Sequence, residues 1–443
     1  MLIRYKQDER GKSIPVARIY TRGEHGIDDS LIDADAAWSV RKLQQSGAEA
    51  YIVGGAVRDL LVGHVPKDFD IATNASPRQV QRMFWNARII GKRFKLVHLV
   101  FNDKILEVST FRSDEEMAED GSNNVFGTIE QDARRRDFTI NALYYDPMTG
   151  HLLDFNDSLQ DFKKKRIRSL IPLKETFIED PVRMIRAIKY AVSTDFSLPL
   201  SLRMAIRSHS RELSRASVSR LTEEVNKILA SGVSARIFRK LKDYQLLGYM
   251  LPGIAPHIGT PAMNASLEAM DDAVMSAKHG RGSAVSRGEM IKALVAPLVS
   301  LGDASLSVDE RFKEVYKSIK AIIAPMTPSN YEIELACERI LRENGFRTPR
   351  NCVRPRPSGI RPPGQARRKG GRQESGRRRQ SPKAVKPGVK QLDMEESASV
   401  TAPGTEADMP KTSSRPKRKR PHRRRKKSPA TATQQQADSV AVE

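Results

Sequence analysis

Cysteine is almost missing from this chain. Cys337 and Cys352 are the only two in 443 residues, which excludes a disulfide framework and fits a reducing, cytoplasmic compartment. The eight histidines are scattered, so no zinc site is expected. No apolar run approaches the roughly 20 residues that span a bilayer. Residues 1–22 alternate charged and apolar side chains without a signal-peptide core. A membrane is therefore not an expected partner. Hydrophobic residues make up 39% of the chain and aromatics 6%, low for a fully folded protein with room for two or three domains. The shortfall is local. Residues 347–443 hold 26 Lys and Arg against 8 Asp and Glu, which is +18 of the chain's net +23. From position 351 Pro, Gly, Ser, Arg and Gln dominate and apolar periodicity vanishes, so 351–443 is expected to be disordered. Its densest run is Arg415, Lys417, Arg418, Lys419, Arg420, Arg423, Arg424, Arg425, Lys426 and Lys427. Such a tail suits non-specific contact with a polyanion, whether RNA, DNA or anionic lipid. A basic localisation patch is the other reading.

What the chain does have is concentrated between residues 51 and 73. Tyr51, Ile52 and Val53 read as a short buried strand. Gly54 and Gly55 follow, and residues 56–61 read as a helix that carries Arg58 and Asp59. A strand, a glycine pair and a helix start present free backbone N–H groups, a setting for phosphate. Beyond Pro66 comes Asp68-Phe69-Asp70-Ile71-Ala72. As a strand, this would put Asp68 and Asp70 on one face, about 7 Å apart, and Phe69 and Ile71 in the core. Two such carboxylates can hold Mg²⁺, which shares its oxygen ligands with substrate phosphates. Alone, an Asp-x-Asp is equally a pair of solvated strand ends. Next to a glycine pair it is the equipment for moving a nucleotidyl group with two metal ions.

The surrounding chain reads as a mixed α/β domain. Residues 1–26 carry no motif and are set aside as a lead-in. Helices are expected over 31–46 and from Ser76-Pro77 to about Trp85, the second with Ser as cap and Pro as first helical residue. Strands are expected at 89–90, 95–100 and 104–111, with Glu107 set between apolar neighbours. An acidic loop covers 113–124. A helix then leads through Arg134, Arg135 and Arg136 to strands at 142–145 and 151–155. Three arginines before a buried strand need solvent or an anion, and triphosphate is the obvious anion. From Asp180-Pro181 onward the pattern is all helical, to about residue 341. Asp180 caps a helix, and Arg183, three residues on, shares its side. Together they offer an acceptor and a fork of donors, which complements the Watson–Crick edge of adenine or cytosine and repels guanine and uracil. Residues 217–224 read as a serine cap followed by acids.

These motifs resemble the class II nucleotidyltransferases, the branch that contains bacterial poly(A) polymerases and CCA-adding enzymes. The matches are Gly54-Gly55-x-x-Arg58-Asp59, Asp68-x-Asp70, the stretch Arg134 to Asn141, and Glu179-Asp180-x-x-Arg183. The stretch Gly91-Lys92-Arg93-Phe94-x-Leu96-x-His98 is similar to the signature that separates the poly(A) polymerases from their CCA-adding relatives. The resemblance runs from about residue 48 to 254. It implies an α+β fold, with a nucleotidyltransferase-type mixed-sheet head (27–170), a helical neck (171–255), a helical body (256–350) and the basic tail (351–443). It implies AMP transfer from ATP to RNA 3′ ends, with Asp68 and Asp70 holding two Mg²⁺ ions. Glu107 or Asp137 would complete the carboxylate set. Gly54, Gly55, Arg58, Asp59, Arg136, Asn141 and Arg186 would contact the nucleotide, and Asp180 and Arg183 would read its base. A monomer is expected. The alternatives are a CCA-adding tRNA nucleotidyltransferase and, from another class, a non-catalytic RNA-binding factor.

Overall fold

In a computed structural model the described residues are 1–353, apart from Glu9, 92–94, Asp103, 114–125 and Ala304. The basic tail, the centre of the acidic loop and the signature residues Lys92, Arg93 and Phe94 thus lie outside them. Nine strands form one sheet: β1 Leu2–Gln7, β2 Ser13–Tyr20, β3 Ala50–Val53, β4 Asp70–Thr73, β5 Ala87–Ile90, β6 Leu96–Val100, β7 Ile105–Thr110, β8 Leu143–Asp146 and β9 His151–Asp154. Their order is β1-β2-β9-β8-β3-β4-β7-β6-β5. β4 and β7 run parallel and the other pairings are antiparallel. The α+β class read from the sequence is the one observed.

One face of the central strands is covered by helices. Ile52, Ile71, Val97, Leu99, Leu106 and Val108 meet helices α1 (Ala34–Gln45), α2 (Gly55–Leu61) and α3 (Pro77–Met83) through Val40, Leu43, Val57, Leu60 and Val80. Ser76 caps α3 reciprocally with Gln79, and Pro77 is its first residue, as the sequence pattern requires. The other face is covered only in part. Val53, Ala72 and Tyr144 pack on Ile129 and Ala133 of α4 (Ile129–Arg134). Beyond β4, on that face, β7, β6 and β5 present Glu107, His98 and Arg88 instead.

Two expectations need correction. Residues 1–26 are not a separate lead-in: β1 and β2 form a hairpin, and β2 pairs with β9 through Arg18, Ile19 and Tyr20. The expected helix at 31–46 starts at Ala34, because Asp33 caps it through the amides of Asp35 and Ala36.

Between residues 182 and 343 the described chain is mostly helical, with α5 Val182–Thr194, α6 Leu200–Ser208, α7 Val218–Leu229, α8 Ser234–Asp243, α9 Pro261–Lys278, α10 Arg287–Val295, α11 Val308–Ile322 and α12 Asn330–Glu343. One apolar cluster starts in the head at Phe138, Ile140 and Ile167. It continues through Val182, Ile185 and Ile188 and ends at Ile340 and Leu341. Each such buried side chain contributes about 1.5–3 kcal/mol, so the base of the helical region is packed onto the head. No helix among the described residues is long and apolar enough to cross a membrane.

Candidate active site

The site begins at the end of β3. Gly54 takes φ +70° and ψ −128°, a conformation open to glycine and strained for other residues. A Cβ there would stand 3.6 Å from Asp70 Oδ2 and 3.7 Å from Arg136 Nη1. The turn therefore passes directly beside both groups, and Gly55 opens α2 immediately after it.

Strand pairing brings the acids together. Asp70 lies opposite Val53 on one side and opposite Glu107 on the other. Residues opposite each other on adjacent strands share a face, so Asp70 and Glu107 stand side by side. Glu107 in turn faces His98, whose Nε2 is 3.6 Å from Glu107 Oε1. Burial pushes the Asp70 carboxyl up to about 6, and Glu107 and Asp68 add to the shift. Arg136, and Lys227 on α7, pull it back.

Asp68 does not lie in a strand, as the alternation argument required. β4 starts at Asp70, and the antiparallel partner that Asp68 would need is Gly55, already the first residue of α2. Phe69 and Ile71 are buried as expected, at 6% and 0% exposure, and Asp68 is exposed on the approach to the strand. Among the described residues no group of three His, Cys, Asp or Glu is gathered tightly enough to hold a metal ion. Repulsion among Asp68, Asp70 and Glu107 is nevertheless what a divalent cation relieves. Mg²⁺ usually takes only one or two carboxylates and completes its shell with water and phosphate, so the donor set fits.

Asp137 belongs to a different part of the site. It is buried, and its Oδ1 accepts from the Phe138 amide at 2.8 Å and from Asn141 Nδ2 at 3.2 Å. Its Oδ2 forms an ion pair with Arg186 Nη2 of α5 at 3.0 Å, yet receives no hydrogen bond of acceptable geometry. Arg186 also donates to the Tyr190 hydroxyl at 3.2 and 3.1 Å. Tyr190 and Asp137 hold its guanidinium above the ordinary value against burial. Arg58 completes a ring of contacts. It donates to Asp59 Oδ1 at 2.9 and 2.7 Å and to Asn141 Oδ1 at 3.1 Å, and lies 4.9 Å from the Tyr190 ring centre. Arg136 is half-buried and donates to Tyr144, to the Asn141 carbonyl and to Asp132. Burial alone would lower its pKa, and Tyr144 and Asp132 override that.

At the start of α5, Asp180 and Arg183 each already have a partner. Asp180 Oδ1 accepts from the Val182 amide at 3.2 Å, and its Oδ2 accepts from Arg220 Nη2 at 2.6 Å. The helix thus starts one residue later than expected, with the Asp180 carboxylate still on its first amide, that of Val182. Arg183 Nη1 donates to Glu179 at 2.8 Å and to the Thr176 carbonyl at 3.1 Å. Three residues at this site were not singled out from sequence: Arg220, Lys227 and Tyr190. Arg220 sits in the stretch read only as a helix cap. The signal that was available was its position beside the cap of α7. Of the signature, Gly91 turns at φ +88°, and Leu96 and His98 lie on β6.

A mixed-sheet head with paired carboxylates beside a glycine turn, followed by a helical neck, is the arrangement expected from the sequence motifs. Residues 50–168 match the family described as "Poly A polymerase head domain", and residues 195–258 match "Probable RNA and SrmB- binding site of polymerase A". The chain is 40% identical over 231 residues to "Poly(A) polymerase I" of Haemophilus influenzae, covering 49% of this chain and 51% of that protein. It is 38% identical over 259 residues to "Poly(A) polymerase I" of Salmonella typhi, covering 56% of each. A "CCA-adding enzyme" of Geobacillus kaustophilus is 36% identical over 222 residues, covering 49% of this chain and 54% of that protein. The chain thus spans about half the length of the curated relatives it matches. Among solved structures, the Bacillus stearothermophilus CCA-adding enzyme in complex with CTP aligns at a TM-score of 0.45 and 25% identity, over 68% of this chain and 76% of that one.

Proposed function

We propose that this protein is a template-independent poly(A) polymerase that transfers AMP from ATP to RNA 3′ ends and releases pyrophosphate, in a reducing cytoplasm. The observation that carries the reading is the pairing of Asp70 with Glu107 beside the Gly54 turn. In the reaction the RNA 3′-oxygen bonds to the α-phosphorus of ATP while the bond from that phosphorus to the bridging oxygen of pyrophosphate breaks. Asp68, Asp70 and Glu107 would hold Mg²⁺, which when bound acidifies the 3′-hydroxyl and neutralises the triphosphate. The backbone of Gly54 and Gly55 cradles phosphate. Asp137 Oδ2, buried without a hydrogen bond, is an acceptor for a ribose hydroxyl, and Asn141 orients Asp137. Arg58 and Arg186, locked around Tyr190, fix the head against α5 and lend positive charge to the nucleotide site.

Asp180 and Arg183 read the base. Asp180 accepts from the exocyclic amino group of adenine. Arg183, whose Nε and Nη2 make no hydrogen bond within the described chain, donates to a ring nitrogen. We assign residues 27–170 to catalysis, 171–255 to base reading and primer contact, 256–350 to the supporting body and 351–443 to RNA capture, in a monomer. The same pair accepts cytosine, and a CCA-adding relative matches almost as much of the chain, so tRNA nucleotidyl transfer is the second reading. Incubation with tRNA lacking its CCA end, plus ATP or CTP alone, separates the two. Long A tails from ATP support the first, and CTP use that stops after a few additions supports the second. Binding of RNA with neither would leave a non-catalytic factor.

A further inference from the structure

Between Asp70 and Asp103 the chain has no acidic residue. Positions 71–102 hold six Lys or Arg and neither Asp nor Glu. The fold keeps this one-signed block together at one margin of the head, as the end of β4, α3, β5 and β6, with β5 the outermost strand. Trp85, in the turn between α3 and β5, is 88% exposed and stacks on nothing among the described residues. The chain's other tryptophan, Trp38, lies edge-on to Phe84 and Phe101 and is covered by Lys42 at 5.0 Å. Arg78 and Arg82 are four apart and exposed on α3, the nearer three residues before Trp85, and Arg88 is exposed on β5. None of these three arginines forms an ion pair among the described residues.

Arg88 stands on the opposite side of the sheet from α3. It lies opposite His98, which lies opposite Glu107, which lies opposite Asp70. Three inter-strand steps make about 14 Å from Arg88 to Asp70 on one face. The cationic groups therefore wrap around the β5 edge and end on the row that carries the carboxylates.

We propose that this edge is a platform for single-stranded RNA. Trp85 stacks on a base, Arg78, Arg82 and Arg88 hold the flanking phosphates, and the row from Arg88 through His98 directs the 3′ end to Asp70. An unstacked indole among arginines, on a stretch of chain without carboxylates, fits a nucleic-acid strand: stacking tolerates any base, and each phosphate is met by a cation. The direction of the strand, though not its binding, rests on the polymerase reading.

The test uses the full-length protein and a labelled oligoadenylate, with anisotropy measured across a salt series beside steady-state AMP incorporation. Trp85→Ala is expected to weaken RNA binding about ten-fold, the loss of one stacked base, and Trp85→Phe to retain most of it. The Arg78→Ala/Arg82→Ala pair is expected to flatten the slope of log Kd against log salt by about two. The KM for RNA should rise in step, with the KM for ATP and kcat at saturating RNA unchanged. RNA affinity and salt slope equal to wild type in these variants, with incorporation normal, overturn the platform and leave the polymerase reading standing. A wild-type protein that binds the oligonucleotide through Trp85 but incorporates no AMP overturns the polymerase reading and leaves the platform. A Trp85→Ala variant altered in ATP affinity alone also overturns it.

Discussion

Asp70 is a partly buried carboxyl crowded by two other acids, and its ionisation is displaced from the usual range up to about 6. A carboxyl raised in the folded state binds protons more tightly there than in the unfolded chain. It therefore destabilises the metal-free protein fully above about pH 6, and the penalty fades as pH falls toward about 4. Asp70→Asn should accordingly stabilise the metal-free protein at about pH 8 by up to about 3 kcal/mol, with no gain at about pH 4. It should abolish nucleotide incorporation. Urea unfolding in a chelator measures the first effect, and a destabilised variant at high pH would contradict the assignment. Gly54→Ala tests the turn. Its Cβ would make only ordinary contacts at 3.6 and 3.7 Å, so the damage comes through backbone strain of about 1–3 kcal/mol. The expected result is a lowered Tm with a raised KM for ATP. An unchanged KM would mean that the turn does not touch the nucleotide.

At the scale of elements, α5 and α7 meet through Arg220 and Asp180. Arg220→Gln should leave α5 folded, since its core residues Ile185 and Ile188 are fully buried. It should loosen the Asp180 carboxylate, narrowing the ratio of kcat/KM for ATP over GTP several-fold, measured with both nucleotides on one primer. An unchanged ratio would remove Arg220 from base selection. Elements were legible where local chemistry dictates them. Ser76-Pro77 is a start that any helix uses, and the alternation of Leu106, Glu107 and Val108 reads as a half-buried strand. What stayed hidden was pairing. Which acid stands next to Asp70 depends on β4 running parallel to β7, a contact between residues 37 apart that periodicity does not encode. The choice between Glu107 and Asp137 therefore remained open in the sequence. Likewise, the Asp68 strand position failed because Gly55 was claimed by a helix. The hairpin at residues 2–20 went unread because its strands are mostly exposed, so no buried apolar face marks them as part of the sheet.

For the whole molecule, charge is distributed as unevenly as structure. Deleting residues 351–443 removes most of the net positive charge. It should weaken RNA binding and flatten its salt dependence, while single AMP addition at saturating RNA survives. Filter binding across a salt series, beside single-turnover incorporation, measures both. Loss of the chemical step would give the tail a role beyond capture. The apolar cluster that begins at Phe138 and ends at Leu341 reaches from the residue next to Asp137 to α12 as one contiguous set of buried side chains. Head and arm should consequently melt in a single calorimetric peak, and a cavity cut at Ile340, far along the chain from any nucleotide, should lower the temperature at which the ATP pocket itself comes apart.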